Sequence, residues 1–291
     1  MGIFLLFIAA LASTVKGWAG KKTSRVVLAM PDVMLSNALR MLLCTLIGCG
    51  LALLLGGLAV RRETLLCATL YGAMLAAGVV TWLLCVQGNG YLLVAVFGML
   101  GTGVSLLCSV IFFGETVLPL QLLGVALLIL ASVAMCPHQR GMRLSARDLA
   151  LLLGNTLATG LVDFSYKLFN GLNTGDTNAV YSFYCNVFAA AFLLLAYLVV
   201  CRAQRASHKP AVIRAAFPFT CIMAVTLFIN SYARVAAAGM LSAAYFYPVY
   251  KGTEIILGAL MSAFVLREKP DRGTYCGLGL AFAALLLLRA A

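Results

Sequence analysis

Two opposite charges, Lys251 and Glu254, lie in a stretch that otherwise has the composition of a membrane-crossing helix. A charge at that depth costs about 2.5–3.5 kcal/mol on insertion scales, so it is by default a candidate functional group. Steps of four, three and four residues place these two residues on one helical face with Tyr247 and Gly258. Such a face could bind a small polar solute, but the lysine and the glutamate could also simply neutralise each other.

Other polar side chains inside apolar stretches are candidates for the same site: Lys16, Asn37, Arg40, Trp82, Asp163, Lys167, Tyr184, Asn230 and Tyr250. Alternatives stay open for several of them. Lys16 and Arg40 are near enough to a span end to snorkel to the interface, which is the outcome that we expect for Arg234. Asp163 and Lys167 are four residues apart on one face and could pair with each other.

The elements that position these residues follow from composition. The chain has 291 residues, 63% of them hydrophobic and 10% charged, whereas soluble domains carry about 25% charged residues. With about 20 apolar residues per crossing, the pattern predicts an all-α membrane protein with ten transmembrane helices. The predicted spans are 3–20, 33–59, 64–86, 91–113, 117–136, 148–170, 178–200, 212–237, 241–266 and 273–290.

The two halves of the chain share features at offsets of 151 and 153 residues. Lys16 and Gly20 correspond to Lys167 and Gly171. Glu115 corresponds to Glu268, where each residue ends the fourth span of its half. We therefore predict a first five-helix repeat at 1–136, a basic linker at 137–147 and a second repeat at 148–291. Because five is odd, the second repeat must enter the membrane in the opposite sense, an arrangement typical of secondary transporters that work by alternating access.

The same comparison singles out the charged span. Lys251 and Glu254 correspond to Gly98 and Gly101, and the glycine stripe of the first half continues through Ser105. Small residues in a stripe are typical of close helix contacts. The fold can therefore build this helix without charge, which favours a functional role for the pair in the second half.

A Lys-x-x-x-Gly at the end of the first span of each half, with "FFGET" and "VLREK" ending the fourth, resembles the drug/metabolite transporter superfamily, and within it the ten-helix EamA-type branch. The resemblance implies a multi-pass protein of the plasma (cell inner) membrane. Small multidrug-resistance proteins resemble one such unit and carry an essential glutamate in the first helix. The matching positions here are Ile8 and Thr159, a departure that argues against their proton/drug-cation mechanism.

We therefore expect a secondary active transporter of a small polar metabolite, anionic or zwitterionic, with its cavity between the repeats. Lys251 would bind an anionic group, assisted by Arg40 or Lys167. Glu254 would bind an ammonium group or carry a coupling proton, and tyrosine hydroxyls would complete the site. The alternative is an organic cation held by Glu254 in an aromatic box that consists of Trp82, Tyr245, Tyr247 and Tyr250.

Other partners and activities find less support in the sequence. The ten cysteines are scattered and the two histidines lie in polar loops, so we expect no metal, no cofactor and no enzymatic activity. The net charge of +12 comes mainly from short loops rather than from a basic strip with aromatics, which argues against nucleic-acid binding. Lipid surrounds the chain, and peripheral spans 5 and 10 could support a homodimer.

The orientation of the chain is read from its loops. Thirteen lysines and arginines follow spans 1, 5, 7 and 9, against three on the other side, which places both termini outside the cell. The family resemblance implies both termini inside. We adopt the orientation from the charge count.

Overall fold

The computed structural model describes residues 1–88, 91–134, 145–205, 207–265 and 272–290. The described chain is all-helical. Its ten helices are α1 (Gly2–Thr23), α2 (Met30–Leu55), α3 (Arg62–Gly88), α4 (Tyr91–Phe113), α5 (Pro119–Ala134), α6 (Ala146–Gly171), α7 (Asn178–Gln204), α8 (Pro210–Ala238), α9 (Ala243–Phe264) and α10 (Arg272–Ala290).

Local sequence explains several helix ends. Pro31 and Pro210 occupy the first turns of α2 and α8, where a missing N–H costs nothing. Ser145 and Asp148 form a capping box at the start of α6. Helix α2 ends at Gly56, whose φ of +139° is accessible to glycine.

Each predicted span coincides with one helix, with ends that differ by a few residues. Six helices are long and apolar enough to cross a membrane: α1, α2, α3, α6, α7 and α8. Helices α4, α5 and α10 contain shorter apolar segments. A multi-pass membrane protein is compatible with these helices, and ten crossings remain a prediction.

Some sequence predictions fall outside the described residues. They concern most of the basic linker, residues 137–144, and the segment 266–271 that includes Glu268. The basic residues that the charge count took from these two segments lie outside the description as well.

The helices pack mostly across the boundary between the two halves of the chain. Helix α1 packs against α8 and α9, and α6 packs against α3 and α4. Helix α2 packs against α7 and α8, α7 also packs against α3, and α5 packs against α10. The core is therefore shared between the halves rather than divided into two separate bundles.

Small residues permit a close helix contact between α4 and α6. A Cβ built on Gly160 would lie 2.7 Å from the carbonyl oxygen of Gly101. The Ser105 hydroxyl donates a hydrogen bond of 2.8 Å to the Gly160 carbonyl. The expected close contact of the first-half stripe is thus confirmed at Gly101 and Ser105.

The helix ends define two faces of the bundle. We call the side with Gly2 and the α8–α9 turn the N-terminal face, because a Cβ on Gly2 would lie 3.0 Å from the Leu241 side chain. On the opposite face, Asp32 accepts a hydrogen bond of 2.7 Å from the Lys209 backbone N–H, which precedes α8. On the N-terminal face, Asp176 accepts one of 3.0 Å from the Arg61 backbone N–H, which precedes α3.

Each of these two aspartates thus caps a helix of the other half. Helix α3 is the third helix of the first half, and α8 is the third of the second half. The two hydrogen bonds are therefore equivalent ties between the halves, one at each face.

Candidate functional site

Glu254 lies at the centre of a polar network that joins the two halves. Ser13 of α1 donates a short hydrogen bond to one carboxylate oxygen, and the Tyr250 hydroxyl lies 3.4 Å from the same atom. The Lys251 ammonium lies 3.2 Å from the other oxygen. The sequence left open whether Lys251 and Glu254 bind a solute or each other, and here they form an ion pair. Their side chains are still 20% and 29% exposed, so the pair is accessible.

Polar residues of α8 and α4 contact the two tyrosines near this pair, and one of them, Asn230, was predicted for the site. Asn230 is buried on α8. Its side-chain amide donates a hydrogen bond of 2.9 Å to the Tyr250 hydroxyl and one of 2.7 Å to the carbonyl of Ala9. The Tyr247 hydroxyl lies 3.4 Å from the hydroxyl of Ser109 on α4. The structure thus brings Lys251, Glu254, Tyr250 and Asn230 together, while Tyr247 faces α4.

Arg234 and Asp163 form a second, fully buried ion pair between α8 and α6. The guanidinium also lies over two tyrosine rings, 4.8 Å from the Tyr166 centroid and 4.2 Å from the Tyr250 centroid. The prediction that Arg234 snorkels to the interface is wrong. Asp163 neutralises it inside the core, and aromatic faces cover its charge.

Lys167 belongs to a third pair, at the N-terminal face. Its ammonium lies 3.0 Å from a Glu115 carboxylate oxygen and donates a second hydrogen bond to the Leu241 carbonyl. The other Glu115 oxygen accepts 2.6 Å from the Ala243 backbone N–H, at the start of α9. The alternative that Asp163 and Lys167 neutralise each other is wrong, because each has a closer partner on another helix.

Lys16 and Arg40 differ from these cations. Neither makes a hydrogen bond or an ion pair with any residue that the structure describes. The Arg40 Nε, like the Nε of Arg234, is buried without a hydrogen-bond partner. Asn37, one turn before Arg40, donates 2.8 Å to the Val33 carbonyl of its own helix.

Three other predicted aromatic residues form no hydrogen bond with Glu254 in the described part of the chain. The Tyr184 hydroxyl donates 3.0 Å to the Leu58 carbonyl, beyond the end of α2, so this tyrosine links α7 to the α2–α3 loop. Trp82, in the second half of α3, is 38% exposed. Tyr245 is partly buried against the hydrophobic core.

Sequence reasoning missed some residues of the network. Ser13 and Glu115 had a signal, because Ser13 precedes Lys16 by one helical turn and Glu115 ends a repeat motif. Tyr71 and Tyr166 had none, and their hydroxyls lie 3.5 Å apart in the core. They line a space with Tyr181 and Asn186 that leaves no volume for a water-sized sphere. The tyrosines beside Arg234 therefore pack without room for a water molecule in this space.

The described residues form no candidate metal site. Over the described ranges, no group of three or more histidines, cysteines, aspartates or glutamates is placed to hold a metal ion. The hydrogen-bonding and charged groups around Glu254 can instead bind a polar solute by direct contacts.

Comparison with known proteins identifies a solved structure with a similar fold. No family model and no curated protein matches the chain. A solved structure described as "Crystal structure of protein" aligns with a TM-score of 0.79 at 13% identity, over 98% of this chain and 95% of that chain. At this identity the likeness shows that the two chains share a fold and says nothing of activity.

Proposed function

We propose that this protein is a secondary active transporter that moves a small polar metabolite, anionic or zwitterionic, across a membrane by alternating access. The observation that carries the proposal is the Glu254 network. It lies between α1 of the first half and α8 and α9 of the second, and it is half-buried rather than sealed. A chain as apolar as this one has little reason to keep charge at that depth unless the charge serves a solute or a coupling ion.

The packing supports an inverted repeat of five helices. Exchanging each helix with the one five positions later converts the α1–α8 contact into α6–α3, and the α1–α9 contact into α6–α4. It leaves α2–α7 and α5–α10 unchanged. The ties of Asp32 and Asp176 follow the same exchange at opposite faces. A twofold arrangement of this kind lets one half rock against the other around a fixed site.

The charges favour an anion or a zwitterion over a cation. The predicted aromatic box around Glu254 is not assembled as a cation site, since the Tyr250 ring already faces Arg234 at 4.2 Å and Lys251 at 5.4 Å. The carboxylate of Glu254 is likewise already bound by Ser13 and Lys251. Transport of an organic cation is therefore the second candidate function, and experiment can distinguish it from transport of an anion or a zwitterion.

The setting of this function follows from the same predictions. We propose that all ten helices cross the plasma (cell inner) membrane, with the basic opposite face in the cytoplasm. Helices α5 and α10 pack on each other at the periphery and are the helices that a homodimer would use.

Transport across charge classes tests the proposal. Purified protein in liposomes is loaded with one unlabelled solute, and uptake of its labelled form is followed for acids, amino acids and organic cations. Accumulation of an acid or an amino acid driven by the internal solute is the expected result. Exchange of cations only would establish the second candidate, and ionic currents far above carrier rates would exclude a carrier.

A further inference from the structure

The charges of the core do not balance. The three acids Glu115, Asp163 and Glu254 each bind one cation. Within the ranges that the structure describes, Lys16 and Arg40 form no ion pair. Two positive charges at this depth need an anion, since a charge without a partner is strongly disfavoured inside a protein.

The two cations face a common region. Lys16 lies within electrostatic range of Arg40, Lys251 and Arg234, and Glu254 is the acid that acts on it. Arg40 lies within range of Tyr71 on α3. The charged groups that act on Lys16 are therefore three cations and one carboxylate, a balance that repels cations and attracts anions.

The two cations lie on helices that share a neighbour. Helices α1 and α2, both wholly described, pack against α8 rather than extensively against each other. Lys16 lies on α1 and Arg40 on α2, so both cations belong to helices that pack against α8. Glu254 is 29% exposed at the edge of the same region.

We infer that Lys16 and Arg40 bind the negatively charged end of the transported solute, and that this solute is a small dianion, either a dicarboxylate or a phosphate monoester. The inference rests on the proposed function and narrows its substrate class. Two negative charges neutralise the two unpaired cations without disturbing the three existing pairs. The arginine fork can donate two parallel hydrogen bonds to a carboxylate or a phosphate, and the lysine adds a point charge. Lys251, which the sequence favoured for this role, instead holds Glu254.

Direct binding to purified protein tests the site without transport. Isothermal titration in lipid nanodiscs compares succinate, a phosphate monoester such as glycerol 3-phosphate, the monoanion butyrate and the cation choline. We expect one of the two dianions to bind at least about tenfold more tightly than butyrate, and choline not to bind. Which dianion binds identifies the chemistry of the charged end.

Variants assign the binding to the two cations. Lys16→Gln and Arg40→Gln should each lower the affinity for the dianion by about tenfold or more. Arg40→Lys keeps the charge, should lose less, and shows that the position tolerates change. Arg25→Gln removes an exposed cation of the α1–α2 loop and should change the affinity less than about twofold.

Other outcomes overturn the inference in distinguishable ways. Equal affinity in the wild type, Lys16→Gln and Arg40→Gln removes the site. If Arg40→Gln loses affinity while Lys16→Gln does not, and Glu268→Gln binds the dianion more tightly, then Lys16 pairs with Glu268 instead of binding the solute. Glu268 is the repeat counterpart of Glu115. Dianion binding without exchange in liposomes would refute the transporter and leave the site, whereas exchange of another class without dianion binding would do the reverse.

Discussion

The buried cations at the two ends of the charged core differ in whether a carboxylate neutralises them. Towards the N-terminal face, Arg234 and Lys167 each have a carboxylate on another helix, and the neighbouring space is closed to water. Towards the opposite face, Lys16 and Arg40 have no partner among the described residues. The comparison teaches that this fold can neutralise a buried cation when it needs only stability. The cations that it leaves unneutralised are therefore the better candidates for binding a ligand.

The largest expected effect comes from the paired end. Asp163→Ala leaves the Arg234 guanidinium buried without its carboxylate, which should cost about 3–5 kcal/mol of stability. Unfolding by denaturant in detergent measures it. The double variant Asp163→Leu with Arg234→Leu removes both charges and should recover most of the loss. A single variant as stable as the wild type would show that the pair contributes nothing.

A smaller loss is expected for the pair at the N-terminal face. Glu115→Gln weakens the partner of Lys167 and of the Ala243 N–H, which should cost about 2 kcal/mol. A double-mutant cycle with Lys167→Gln isolates the coupling between the two side chains. A coupling energy near zero would contradict the structural role that we assign to this pair.

Sequence alone predicted the helices well and their partners poorly. Each apolar run contains its own signal, so all ten helices could be located. The pairings join residues far apart in the chain, such as Arg234 with Asp163 and Ser13 with Glu254, and no local pattern encodes them. The sequence shows that Arg234 lies near the end of a span, which predicted an interfacial residue. It does not show that Asp163, on another helix, is its partner.

Glu254 lies between the two ends and distinguishes the solute classes. Glu254→Gln leaves Lys251 without its carboxylate and adds a third cation to the region of Lys16. We expect a dianion to bind about threefold to tenfold more tightly, since one repulsive charge is removed. Titration in nanodiscs measures the change, with Ser13→Ala as a control that keeps the carboxylate. Weaker binding of an amino acid in Glu254→Gln would favour an ammonium group at this residue.

The smallest effects are expected at the ties between the halves. Asp32→Ala and Asp176→Ala each remove a carboxylate that accepts a backbone N–H at a helix start, which should cost about 1 kcal/mol apiece. Asp176→Ala should cost somewhat more, because Asp176 also accepts a hydrogen bond of 2.6 Å from the Thr64 hydroxyl. Thermal unfolding compares the two faces under the same conditions. Because the two ties are equivalent in the proposed repeat, losses that differ by several kcal/mol would break that equivalence.

The most direct test is exchange of a labelled dianion in liposomes by the wild type and by the double variant Lys16→Gln with Arg40→Gln. The account predicts exchange by the wild type and by Arg25→Gln, and loss of exchange in the double variant with its fold intact by circular dichroism. Exchange at the wild-type rate by the folded double variant would contradict it.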